Sequence, residues 1–239
     1  MNPPPIPQPR ATRVLTVEPM PNAPGPASVI ESLLKHPGRI IHELEQSRAS
    51  AVTAWLLLLA IVGMALYGVV VGTVSGGAQM LVAPAKLALG TVLAMLICLP
   101  SLYIFSALDG MEARIRTVAG MMCAAVCLAA LLLIGFAPVS WIFSQSTDSV
   151  ALMGALHLLF WFIGVGFGLR LLAAGGAYLG NGGSRHLKIW NVVFVLVSLQ
   201  MTTALRPIVG TSDTFLPPEK KFFVAHWFDT LNGEGSTTR

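Results

Sequence analysis

Five apolar stretches, each followed by a short polar or glycine-bearing turn, divide the chain between residues 51 and 205. The longest, 81–108, reads LVAPAKLALGTVLAMLICLPSLYIFSAL and holds a single full charge, Lys86. At about 1.5 Å of rise per residue, a helix of that length reaches roughly 40 Å, beyond the ~30 Å hydrocarbon core of a bilayer, so its ends tilt or enter the headgroups. The other predicted spans are 51–74, 117–136, 150–172 and 187–205. The expected fold is all-α: an integral membrane bundle of five transmembrane helices over 51–208, with short amphipathic interfacial helices at both ends.

Before the first span the pattern changes twice. Residues 1–27 contain nine of the sixteen prolines and no periodic apolar positions, which predicts a disordered tail. The tail lacks the basic, apolar and small-residue regions of a signal peptide and is expected to stay attached. Over 28–50, Ser28 and Glu31 have the spacing of a capping box. Ile40, Ile41 and Leu44 then fall opposite Arg39, Glu43, Glu45 and Arg48, the pattern of a helix lying on the membrane surface. Beyond the last span, in 209–239, Pro217 and Pro218 precede Phe223, Trp227 and Leu231 at helical spacing, with Phe222 alongside. That aromatic stripe can rest on a leaflet or on a partner subunit.

Charge sets the expected orientation. Lys35, Arg39 and Arg48 precede the first span, Arg114 and Arg116 occupy the second loop, and Arg185 and Lys188 follow the fourth, with Arg170 at the far end of that span. The first and third loops, 75–80 and 138–149, hold no Lys or Arg. The positive-inside rule therefore places the N-terminus, loop two and loop four in the cytoplasm, and five crossings put the C-terminus outside a bacterial inner membrane. Composition agrees with this class, since 54% of residues are hydrophobic and 11% charged, against about 25% charged in soluble domains. The net charge of +4 is scattered without a basic run, which points to lipid headgroups and away from nucleic acid.

Ionisable groups inside spans are costly and so are the first candidates for function. Lys86, His157 and Arg206 all fall in the outer half, and no acidic residue lies within a span to pair with them. They are candidates to hold an anionic lipid or ligand, against the alternatives that the cations snorkel separately and that His157 makes one interhelical hydrogen bond. Gly68 with Gly72, and Gly164 with Gly168, are small residues at i and i+4 that allow close helix packing. Cys98, Cys123 and Cys127 lie in apolar surroundings without His or carboxylate neighbours, so no metal and no cofactor is expected. No metalloprotease, nucleophile-elbow or phosphate-loop motif occurs, and Asp109, Glu112, Arg114 and Arg116 read as a solvated turn.

The lead-in LLKHPGRIIHELEQ, the segment CLPSLYIFSALDG (98–110) and the segment ALRPIVG (204–210) resemble the Yip1-like and related bacterial five-helix membrane proteins. The likeness covers roughly 29–210. It implies the same topology and a non-enzymatic role, and no functional residue is carried over. The expected function is a structural or accessory one in a membrane complex or in membrane organisation, with membrane lipids and a membrane-protein partner or a second copy as the contacts. The alternative is a transporter or flippase-like protein for an anionic lipid or amphiphile.

Overall fold

The computed structural model describes residues 17–75, 79–112, 114–147, 150–180 and 185–204; these form seven α-helices and no strand. They are α1 (Pro26–Lys35), α2 (Pro37–Glu45), α3 (Ala49–Ser75), α4 (Gln79–Leu108), α5 (Ile115–Ser146), α6 (Val150–Leu179) and α7 (Arg185–Ala204). Four of them, α3 to α6, are long and apolar enough to cross a membrane. In the most apolar window of α5, 67% of the residues are buried, against 22% in α4, so α5 is the central helix and α4 a peripheral one.

Consecutive long helices run in opposite directions, so the start of α3, the end of α4, the start of α5, the end of α6 and the start of α7 share one end of the bundle. Every described Lys and Arg except Lys86 and Arg170 lies at or before this basal end. Close contacts between the helices are made by glycine, which lets two backbones meet because it has no side chain to separate them. A Cβ on Gly68 of α3 would lie 2.5 Å from Pro84 Cα of α4. On α6, a Cβ on Gly164 would lie 3.1 Å from the Ala129 carbonyl oxygen of α5, and one on Gly168 would collide with the Ala125 carbonyl oxygen. Gly72 is buried one turn beyond Gly68.

Two helices run longer than their apolar patterns foretell. The third stretch is expected to end at 136, yet α5 passes through Pro138 to Ser146. A proline removes one backbone donor, and in membrane helices neighbouring helices and side chains make good the loss. The glycine-rich segment 175–184 reads as flexible, but Gly175 and Gly176 extend α6 to Leu179. There a Cβ would meet Met121 Cε at 2.7 Å and Leu187 Cδ2 at 3.0 Å, so both glycines serve packing.

At the basal end α1 starts earlier than the expected cap. Gly25 is its N-cap, Pro26 its first residue, and Ser28 Oγ accepts the Gly25 N–H at 2.9 Å. Glu31 instead pairs with Lys35 at 3.1 Å. The apolar face of α2 rests on protein, not lipid: Ile40, Ile41 and Leu44 are buried against Met121 and Ala124 of α5 and Leu171 and Leu172 of α6. Thr117 Oγ1 donates to the Leu44 carbonyl at 3.2 Å, and the buried Glu43 carboxylate accepts the Met20 N–H at 3.0 Å. The α1–α2 pair is thus a lid seated on the basal end of the bundle.

Candidate functional site

Polar side chains collect in one layer inside the other half of the bundle. Tyr67 lies eight residues before the end of α3, Ser140 six before the end of α5, and His157 seven after the start of α6, each about 10 Å from the helix ends opposite the basal end. Tyr67 Oη and His157 Nδ1 are 2.8 Å apart and their rings meet edge to face, joining α3 to α6 across the bundle. Ser140 presents its hydroxyl towards Tyr67 without reaching hydrogen-bonding geometry, and it is fully buried. His157 Nε2 is likewise buried without a partner. No carboxylate occurs at this level among the described residues, and no group of three or more His, Cys, Asp or Glu that could hold a metal is found among them.

An interhelical hydrogen bond in a membrane protein contributes about 1 kcal/mol, because partners are also found in the unfolded-in-membrane state. Tyr67→Phe is expected to cost about that much, and His157→Ala in the Tyr67→Phe background should cost measurably less than His157→Ala alone. Unfolding in mixed detergent and SDS micelles measures both, and a coupling of zero would show that the pair does not form in the membrane.

Compared with protein-family models, curated proteins and solved structures, the chain matches none. Its chemistry therefore rests on its own geometry.

Lys86 is 1% exposed, one of the largest fully buried side chains in the protein. Pro84 of α4 faces Gly68 of α3. Helical residues advance about 100° each, so Lys86 sits about 200° round from Pro84 and Ser101 about 260°. Ser101 accepts a hydrogen bond from Trp190 Nε1 of α7 at 3.0 Å, so Lys86 shares the α7 side of α4 and is turned away from α3. α4 and α7 are antiparallel. Fifteen residues before Ser101, Lys86 comes level with the last described residues of α7. His157 is thus joined to Tyr67, and Lys86 is directed to α7. Arg206, Phe222, Phe223, Trp227 and Leu231 lie outside the described residues.

A second polar site joins α4 to α7 at the basal end. The α4 helix closes in a Schellman arrangement: Met111 N–H donates to the Ser106 carbonyl and Gly110 N–H to that of Ala107, with Gly110 at φ 79°. This turn presents Asp109 to the start of α7. Its carboxylate accepts the His186 N–H at 3.1 Å, the Leu187 N–H at 2.8 Å and a contact from His186 Nδ1 at 2.8 Å. Asp109 is thus an N-cap borrowed from another helix, satisfying two donors that α7 cannot pair internally. Burial pushes its pKa up, but the hydrogen bonds from Leu187 and His186 and the His186 charge outweigh burial and hold it below the usual carboxylate value. The turn that reads as solvated is in this respect a structural joint.

Tyr67, Ser140 and the capping role of Asp109 are missed by reading the sequence. A tyrosine placed well inside a span, where an aromatic anchor has no interface to occupy, is the one local sign for Tyr67.

Proposed function

We propose that this is a non-enzymatic multi-pass protein of a bacterial inner membrane that organises a membrane complex, with its N-terminus in the cytoplasm. The observation that carries this reading is the close packing around the central helix. Its central helix α5 is enclosed by its neighbours, the backbones of α5 and α6 meet through glycine, and α2 is seated over the basal end. A protein so closed acts through its outer faces, and α4 and α7 present Leu89, Leu96, Ile104, Val192 and Leu196 outward. The resemblance to Yip1-like proteins supports the topology and a non-enzymatic role.

The fifth crossing is α7. It lies antiparallel along α4 from Asp109 to the level of Lys86, the depth that α4 itself occupies, and its twenty residues reach about 30 Å. With basic residues gathered at the basal end, that end faces the cytoplasm and the C-terminus faces outward. Cysteine labelling of intact cells is expected to reach a tag at residue 239 and to leave positions 10 and 114 untouched until the cells are opened. Labelling of position 239 only after opening would remove the fifth crossing.

Purification in mild detergent should bring down a membrane protein in fixed ratio. The buried Lys86 favours a second reading, movement of an anionic amphiphile. That reading gains if no partner co-purifies and proteoliposomes move such a species in a manner abolished by Lys86→Ala or Arg206→Ala.

A further inference from the structure

Because α6 runs to Leu179, Arg170 lies nine residues inside its end, about 13 Å along the helix axis. The helix packs on α5 through Gly168 and Gly164. Arg170 is about 200° round from Gly168 and exposed, so it faces away from the bundle, towards lipid. Its register with Ala125 puts it level with Cys123, eight residues inside the start of α5. Its guanidinium carbon is 6.0 Å from the centre of the Phe167 ring, and the ion pairs among the described residues do not include it.

The surface around it is shaped. One turn away, Gly166 has nothing within 4 Å of where its Cβ would be. Towards the basal end, Ala173 and Ala174 are half-buried and Ala177 is exposed. On the other side, Phe162 is exposed. Arg170 therefore stands in a shallow trough that opens towards the basal headgroups and continues into the hydrocarbon over Gly166.

We propose that Arg170 binds the phosphate of an anionic phospholipid whose headgroup sinks into this trough and whose acyl chain lies over Gly166. A guanidinium cannot be left bare in hydrocarbon, and because the 30 residues of α6 outrun a ~30 Å core, the Arg170 side chain reaches towards the rim and meets a phosphate drawn down beside it. Guanidinium suits this partner because its planar donors meet phosphate oxygens two at a time. The small residues matter because bulk there would hold the headgroup off. The inference holds under either reading of function, since it concerns the lipid-facing side of α6 alone.

The test uses the full chain purified in mild detergent, washed, supplied with phosphatidylglycerol or phosphatidylcholine, and examined by native mass spectrometry. The wild-type protein is expected to retain phosphatidylglycerol over phosphatidylcholine. Arg170→Gln should lower that retention about fivefold, Arg170→Lys less, and Arg116→Gln, at the rim, little. Gly166→Leu keeps the charge and fits the free space, and it should also lower retention. Unchanged retention in Arg170→Gln and Gly166→Leu overturns the site, and so does a folded wild-type protein that keeps no phospholipid. Displacement of the lipid by millimolar inorganic phosphate would assign the site to a free anion and overturn the lipid assignment. If Arg170→Gln fails to fold, Gly166→Leu alone decides.

Discussion

Gly168→Leu is expected to separate α6 from α5 and to cost more than about 3 kcal/mol, the upper range for overpacking a closed contact. The reason is that even a Cβ there would collide with the carbonyl oxygen of Ala125, which belongs to a helix backbone and cannot rotate aside. Leucine favours helix over glycine by about 1 kcal/mol, too little to offset the clash. Gly166→Leu, two residues away and facing open space, supplies the comparison: it should leave stability unchanged or raise it. SDS titration followed by circular dichroism reads both. Equal stability of Gly168→Leu and the wild type would mean that α5 and α6 do not meet here.

Asp109→Ala should release the start of α7 and cost about 3 kcal/mol, because it removes the acceptor of two backbone donors and of the His186 ring, all at a carboxylate only 8% exposed. Asp109→Asn keeps one acceptor oxygen and should lose less. The sign of the pH dependence follows from the lowered pKa of Asp109. A carboxylate whose folded pKa lies below its unfolded value contributes fully above about pH 4 and loses that contribution as the pH falls through the folded pKa. The wild-type protein should therefore lose α7 docking on strong acidification, while Asp109→Asn should show a flat profile over the same interval. Pepsin, which is active in that interval, reports the release by cleavage beside Leu187, slow in the docked state, and an acid profile shared by both proteins would assign it to another group.

Helical class and the second span were legible from apolar length alone: the stretch 81–108 differs from α4 by two residues at its start. Span ends were less so, because glycine and proline mark turns in water but can be packing residues in a bundle. Pro138 and Gly175 both signal a stop in sequence, and each sits inside a helix where neighbours supply what the local chain lacks. The amphipathic face of α2 was plain in Ile40, Ile41 and Leu44, but the pattern cannot tell lipid from Met121 and Leu172 as the apolar surface it meets. His157 was visible as an intramembrane polar group. Its partner was not, since Tyr67 is 90 residues away and neither residue carries a local sign of the other. Asp109 next to Gly110 looked like an ordinary polar turn, and only the return of α7 to the same end gives the carboxylate its donors.

The seat of α2 has a consequence for the order of assembly. Ile40 and Leu44 emerge from the ribosome long before Met121, Ala124, Leu171 and Leu172, the residues that cover them in the finished protein. Until α5 and α6 are made, α2 has only α1 and α3 beside it, and the membrane surface is left to cover the rest of its apolar face. It must wait there as a peripheral helix and transfer to the protein once α6 has been inserted, so a chain stopped before residue 171 should hold its N-terminal segment on the bilayer.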